Sequence, residues 1–236
     1  MSAPVLGRDG TLPQGDDKRR SVEAMFDRLA PGYERMNRLI SLGLDRRWRE
    51  ACVVTLGLPR RSLVVDLACG TGDLCRDLVD AGQHAVGLDV SAGMLAAARG
   101  SSPLVRADGA AAPLRTGSVD GITCGFALRN FVDLGEVFAE CARVLRRGGR
   151  FVAVDASVPR NPVMRAGNAV WFRGAVPLLG RLLAHDGDAY RYLPKSTAYL
   201  PPPDELIRLL TDAGFGDVAT RDLTGGSVLL LEGTRA

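Results

Sequence analysis

The sequence predicts an α/β protein built on one seven-stranded, mainly parallel sheet with helices on both faces. Three observations carry that expectation. From Leu63 onward, short apolar runs alternate with segments of helical period. The connections between them are short, which suits repeated βα units. Several of the runs end in an aspartate followed by a glycine or a helix-capping residue.

The elements follow in order. Residues 1 to about 20 mix Gly, Pro, Asp and Arg without periodicity and are expected to form a disordered leader. The remaining 21–236 read as one domain, opening with a helical cap over 21–60. There Val22, Met25, Phe26 and Leu29 recur at three- and four-residue spacing, Pro31-Gly32 interrupts, and Tyr33, Met36, Leu39 and Ile40 resume the period. A further helix is expected over Asp45 to Leu56. Leu63 to Leu67 is the first strand, and a helix should follow Cys69-Gly70-Thr71-Gly72 to about Ala81. His84 to Asp89 is the second strand, with Ser91 capping the next helix. Leu104 to Ala107 is the third strand and Val119 to Phe126 the fourth. Leu134 to Leu145 is a helix that Gly148-Gly149 stops, and Arg150 to Ala156 is the fifth strand.

Asn161 to Ala184 breaks this rhythm. It is helical and apolar, with Val170, Trp171 and Phe172 beside Arg165, Arg173 and Arg181. With the loop that follows, 161–203 reads as an inserted lid over a substrate, or as a helix simply packed on the sheet. Asp204 to Ala213 is a last helix, and Val218 to Asp222 and Ser227 to Glu232 close the sheet around Thr224-Gly225-Gly226.

Composition excludes several classes. Lys+Arg 30 against Asp+Glu 27 gives a formal net charge of +3, too even for a surface dedicated to nucleic acid. Five cysteines without a Cys-x-x-Cys pair, and two distant histidines, argue against a disulfide framework or a zinc site. No signal peptide or apolar run of spanning length is visible, so a reducing cytoplasm is the expected compartment.

Asp66-Leu67-Ala68-Cys69-Gly70-Thr71-Gly72-Asp73 lies between a strand and a helix, where glycines let the backbone pass close to a ligand. A dinucleotide site would prefer a third glycine where Cys75 stands, and Asp66 would sit poorly beside a pyrophosphate. S-adenosylmethionine, cationic and free of phosphate, fits better. Asp89 is placed to bind both ribose hydroxyls. Asp108 is placed to meet the adenine amino group, with Gly109 leaving room for the ring. Three acids at successive strand ends converge on the crevice edge where open α/β sheets bind ligands. Asp66, Gly70, Thr71, Gly72, Asp89, Met94, Asp108, Gly109 and Gly125 are the expected cofactor contacts. The fold expected is therefore the Rossmann-like one of class I adenosylmethionine-dependent methyltransferases.

Further blocks carry a family resemblance. Met25-Phe26-Asp27-Arg28-Leu29-Ala30-Pro31-Gly32-Tyr33 with Met36-Asn37, and Ser41 to Arg49, form one block. Phe126-Ala127-Leu128-Arg129-Asn130, Tyr190 to Pro194 with Ser196, and Leu223-Thr224-Gly225-Gly226 form the others. Together they resemble the menaquinone/ubiquinone biosynthesis C-methyltransferases from about Ser21 to the end. The resemblance implies cofactor contacts at Thr71, Asp89, Asp108 and Gly109. A further contact, usually Ser, falls on Gly125. Other departures are Ala127 for Gly, Asp155-Ala156-Ser157 for Glu-Phe-Ser, Lys195 for Glu, and Glu232 where the closing block has His.

The reaction that the resemblance implies is methyl transfer to the ring carbon of a reduced, isoprenoid-tailed naphthoquinone, and it needs positioning, proton removal and stabilisation of a developing phenolate. Arg129 is expected to stabilise the phenolate, and Asn130 to orient the hydroxyl or a water. Asp155 is a candidate base, and Tyr190 and Tyr192 line the pocket or pack in the core. No metal is needed and no nucleic-acid partner is expected. Peripheral membrane contact, with arginines at lipid phosphates, is compatible with the 161–184 segment. Monomer and homodimer both stay open. The competing acceptor is a polyketide or phenol of natural-product metabolism, supported by Lys195 and Ala127, with methylation at carbon or oxygen.

Overall fold

A computed structural model describes residues 13–171, 174, 192 and 195–236. Its strands are β1 (Leu63–Leu67), β2 (His84–Asp89), β3 (Leu104–Arg106), β4 (Val119–Gly125), β5 (Leu145–Ala156), β6 (Phe215–Leu223) and β7 (Val228–Arg235). They form the one seven-stranded sheet that the alternation predicts, in the order β3-β2-β1-β4-β5-β7-β6. All pairings are parallel except those of β7, which runs antiparallel to both β5 and β6. The order reverses at β1, flanked by β2 and β4, and the crevice beyond the carboxyl ends of these strands is where such sheets bind ligands.

The described helices are α1 (Gly15–Leu29), α2 (Tyr33–Ile40), α3 (Asp45–Leu56), α4 (Asp73–Asp80), α5 (Ala92–Ala97), α6 (Leu134–Val144), α7 (Pro162–Val170) and α8 (Pro203–Asp212). Strand side chains alternate between two cores, as the period of two requires. Val65, Leu67, Ile122, Cys124, Phe151 and Ala153 face one side, where α6 and α8 bring Phe138, Leu206 and Leu210. Val64, Val152 and Val154 face the other, against Cys52 and Leu56 of α3 and Leu74 and Leu78 of α4. Phe151 sits between Phe138 and Phe215 with ring centroids 5.6 and 5.9 Å away, an edge-on pair on each side. All five cysteines are buried and free.

Two boundaries differ from the sequence reading. Helix α1 begins at Gly15, ahead of Ser21 and inside the stretch expected to be disordered. Asp16 and Asp17 suit the positive end of its dipole. Buried Lys18 anchors that turn: its Nζ donates to the Phe131 carbonyl at 2.5 Å and lies 3.9 Å from the Tyr199 ring centroid. Strand β5 begins at Leu145 rather than Arg150, because Leu145 already pairs with Val119 of β4. Gly148 and Gly149 thus lie in a register shift within the strand, where Arg146 to Gly149 face Asp120 alone, rather than at a helix stop, and a Cβ at Gly149 would lie 2.8 Å from the Arg146 carbonyl. Of the lid segment, α7 and Trp171 are described; Phe172, Arg173, Arg181, His185 and Tyr190 lie outside the described residues. No helix among the described residues is long and apolar enough to cross a membrane.

Candidate active site

Three connected cavities lie at the carboxyl ends of β1, β2 and β4. The first, about 240 Å³, is lined by Gly70, Asp89, Ser91, Met94, Asp108 and Phe131 among others. The backbone brings its acids together. Leu67 leads into a loop with positive φ at Ala68, Gly70 and Gly72, and Gly72 turns the chain into α4. The Gly70 amide donates to Asp89 Oδ2 and the Ser91 amide to Asp89 Oδ1, each at 2.8 Å. Burial holds the Asp89 pKa above the ordinary carboxylate value, and these two amides offset only part of that rise. Two amides leave lone pairs on the carboxylate for a ligand diol. Ser91 caps α5 by accepting from the Met94 amide at 3.0 Å and itself donates to Asp27 of α1 at 2.6 Å.

Asp108 receives the Ala110 amide on Oδ1 at 3.0 Å and pairs through Oδ2 with Arg19 of α1 at 2.8 Å. Helix α1 therefore forms one wall of this cavity, a role the sequence did not signal. At Gly109, the space a side chain would take is filled by Phe131, whose Cε1 lies 2.9 Å from an added Cβ. The glycine makes room for Phe131, which lines the cavity, rather than for the ligand directly. An added Cβ at Gly125 meets Leu74 at an ordinary 3.5 Å, so a serine would fit there without strain.

A second, small cavity of about 50 Å³ lies beside Gly70 and Gly125, with Asp66, Thr71, Asp73, Arg49, Tyr33 and Asn37 on its walls. Asp66 and Thr123 are neighbours in register, and Thr123 Oγ donates to Asp66 Oδ1 at 2.9 Å. Burial pushes the Asp66 carboxyl up to about 7, against the pull of that bond and of Cys75. Arg49 is held by Asp77 at 2.6 Å and Asp45 at 2.7 Å. A zwitterionic α-amino acid matches this mixture of acids and guanidinium, and a ribose diol matches Asp89. The residues present thus fit adenosylmethionine: Asp66 and Asp73 would hold its amino group, Asp89 its ribose and Asp108 its adenine edge.

The Asp66 value has a stability consequence. Between an unfolded carboxylate near 3.9 and about 7 the folded state binds the extra proton, so stability falls as pH rises through that window. Asp66→Asn is expected to raise the melting temperature of the cofactor-free protein at pH 8 while weakening cofactor binding. Calorimetry and thermal melts on the same preparation check both; a lower melting temperature would contradict the assignment.

The third cavity, about 390 Å³, is mostly apolar. Leu42, Leu44, Trp48, Met164, Trp171 and Val228 supply much of its wall. Trp48 Nε1 donates to Thr224 Oγ1 at 2.8 Å and Trp171 Nε1 to the Ile40 carbonyl at 3.0 Å, so both indoles are fixed by their polar ends. Thr224 of the Leu223-Thr224-Gly225-Gly226 block lies on this wall, and a Cβ at Gly225 would lie 2.8 Å from Sδ of Met164, another wall residue. Phe26, Tyr33 and Phe126 line both the first and the third cavity, and Tyr33, Asn37 and Phe126 line the second and the third. They mark the junction. Phe126 holds φ at 59°, an uncommon conformation for a bulky side chain and one that clusters at functional sites.

Arg129 lines the third cavity. Its amide donates to Asp155 Oδ2 at 2.9 Å, its Nη1 pairs with Asp155 Oδ1 and with the Phe126 carbonyl, and its Nε donates to Ser196 Oγ at 3.1 Å. Asp155, 1% exposed, lies behind Arg129 and lines none of the three cavities, a poor position for a base. Asn130 lines the first cavity rather than the third, and its Oδ1 accepts from Tyr192 Oη at 3.2 Å. Of the expected cofactor contacts, Gly72 and Gly109 shape the cavities without lining them. The others lie on the walls.

An acid at each of three strand ends, beside a glycine loop and an adjoining apolar cavity, defines an adenosylmethionine-dependent methyltransferase of Rossmann-like fold. Solved structures share that fold. A Thermotoga maritima protein described as a SAM-dependent methyltransferase, possible histamine N-methyltransferase, superposes with TM-score 0.62 at 19% identity over 90% of this chain and 99% of that one. The geranyl diphosphate C-methyltransferase of Streptomyces coelicolor, solved with S-adenosyl-L-homocysteine, gives TM-score 0.60 at 16% identity over 82% and 80%. Residues 14–235 match the model of the ubiE/COQ5 methyltransferase family, and the chain belongs to that family. A demethylmenaquinone methyltransferase of Roseiflexus castenholzii is 39% identical over 234 residues, 95% of this chain and 97% of that protein. A ubiquinone/menaquinone biosynthesis C-methyltransferase of Syntrophotalea carbinolica is 38% identical over 226 residues, 92% and 95%.

Proposed function

We propose that the protein methylates a ring carbon of a reduced demethylnaphthoquinone, converting demethylmenaquinol to menaquinol. The observation that carries this reading is the apolar third cavity, joined to the cofactor cavities at Tyr33 and Phe126 and holding Arg129 on its wall. When bound, adenosylmethionine supplies an electrophilic methyl group on a positively charged sulfur. Asp89, Asp108 and Asp66 orient that donor. Phe26, Tyr33, Phe126 and Trp48 hold a flat ring against it and exclude water. Arg129, fixed by Asp155, the Phe126 carbonyl and Ser196, stabilises the oxyanion that develops on the acceptor. Asn130 keeps Tyr192 in register with the turn that carries Arg129.

A natural-product acceptor is not favoured. Ala127 lines the cofactor cavity and Lys195 is exposed, so neither departure that suggested it touches the acceptor wall. Ala156, by contrast, lines that wall where relatives of the resembled family carry Phe, which enlarges the space for a ring.

The quinol reading extends to a membrane surface that holds an isoprenoid substrate. Leu42 and Met164, on the acceptor wall, are exposed, and Val163 and Val170 of α7 are 75% and 73% exposed beside them. Such a rim, with α7 along it, lets a tailed substrate enter from lipid at the cytoplasmic face. Labelled adenosylmethionine with a panel of reduced demethylquinones and phenols tests the reading. Label is expected on carbon of the demethylnaphthoquinols; label on phenols alone would overturn it.

A further inference from the structure

On the quinol reading, the proton that leaves the acceptor needs a destination, and neither Arg129 nor Asp155 supplies one. Arg129 is a guanidinium and takes no proton, and Asp155 is engaged by it. Two charged side chains line the acceptor cavity among the described residues: Arg129 and Asp45. We propose that Asp45 is the proton acceptor for the ring hydroxyl of the substrate.

Asp45 opens α3, and its side chain is 11% exposed. Oδ1 accepts from Ser41 Oγ and Oδ2 from Arg49 Nη1, each at 2.7 Å, which leaves further lone pairs for a ligand hydroxyl. Its place along the cavity follows from its neighbours. Asn37 lines both the acceptor cavity and the small methionine-end cavity, and Arg49, bonded to Asp45, lines the latter. Asp45 therefore stands on the acceptor wall, one hydrogen bond away from a side chain of the methionine-end cavity.

Burial would raise the Asp45 pKa, but Ser41 and Arg49 bring it below the ordinary value. Such a carboxylate is a weak base toward a free phenol. It suffices here, because the hydroxyl becomes far more acidic as the ring carbon gives up its electrons. The O–H pair moves into the ring as the proton passes to Asp45. The ring carbon's pair forms the new C–C bond, and the S–C bond breaks with its pair left on sulfur. The methylated carbon then loses its hydrogen as a proton and the carbonyl oxygen regains one. One proton leaves overall, balancing the positive charge lost at sulfur. Arg49 favours re-ionisation of Asp45 for the next turnover.

The test compares 4-methoxy-1-naphthol with 1,4-dimethoxynaphthalene, which lacks the hydroxyl, by calorimetry on the cofactor-free protein. Wild type is expected to prefer the naphthol about tenfold, and Asp45→Asn to lose that preference. Turnover on a demethylnaphthoquinol is expected to fall about 100-fold in Asp45→Asn, with adenosylmethionine affinity within about threefold of wild type. Formate is expected to restore part of the activity of Asp45→Ala. An unchanged naphthol preference overturns the assignment, as does turnover within threefold of wild type in the isosteric Asn variant, which retains bulk if Ala fails to fold. Absence of transfer to demethylnaphthoquinols by wild type would instead sink the quinol reading itself.

Discussion

Asp89→Ala is expected to weaken adenosylmethionine binding at least about 100-fold with the fold retained. Two losses combine. Hydrogen bonds to an ionised carboxylate contribute about 1.5–3 kcal/mol each, and every 1.4 kcal/mol is tenfold, so two ribose contacts alone span roughly 100- to 10,000-fold. The carboxylate also ties the Gly70 amide to the Ser91 amide, 2.8 Å on each side, and so fixes the glycine loop against the start of α5. Asp89→Asn keeps one carbonyl oxygen and is expected to lose less. The melting temperature should change by no more than about 5 °C, because Asp89 joins loops at the crevice rather than the two apolar cores. Calorimetric affinity close to wild type in the Ala variant would remove Asp89 from the ribose site.

Much of this site is legible in the sequence because parallel strands advertise themselves. Leu63–Leu67 and, past the exposed His84, the second strand to Asp89 are buried or half-buried, so they read as apolar runs, and their acids stand where the chain must leave the sheet. The sequence conceals partners distant in the chain. Lys18 extends α1 through contacts with Phe131 and Tyr199, neither of which is close to it in sequence. Gly109 reads as space for a ligand ring, and only the fold shows that Phe131 fills it. Gly148-Gly149 reads as a helix stop, and only the pairing of Leu145 with Val119 places it inside a strand, at a shift of register. Asp155, an acid at the end of the fifth strand, reads as a candidate base until Arg129 is seen to engage both of its oxygens. Phe26, Tyr33, Asn37 and Asp45 stand inside blocks that mark the family, yet a block names no role. Their places on the cavity walls do.

Arg129→Ala is expected to lower turnover by about 100- to 1,000-fold, the range for losing one preorganised donor to a developing oxyanion. Cofactor affinity should stay within about threefold, since Arg129 lines the acceptor cavity and neither cofactor cavity. The single variant confounds two effects, however. Arg129 and Asp155 are a buried pair, 7% and 1% exposed, and removing one partner leaves an uncompensated charge at a cost of about 3–5 kcal/mol. The variant is therefore expected to melt lower as well as turn over more slowly. Replacing the carboxylate too, in Arg129→Ala with Asp155→Asn, removes the orphaned charge and should recover most of the stability. It should recover none of the rate, because no guanidinium then faces the acceptor. Asp155→Asn alone keeps the guanidinium but loosens it, so its turnover should fall between wild type and the double variant. A double variant that regained both stability and turnover would show that Arg129 acts only as a strut for the turn after β4. Recovered stability with turnover still depressed would assign it to the oxyanion.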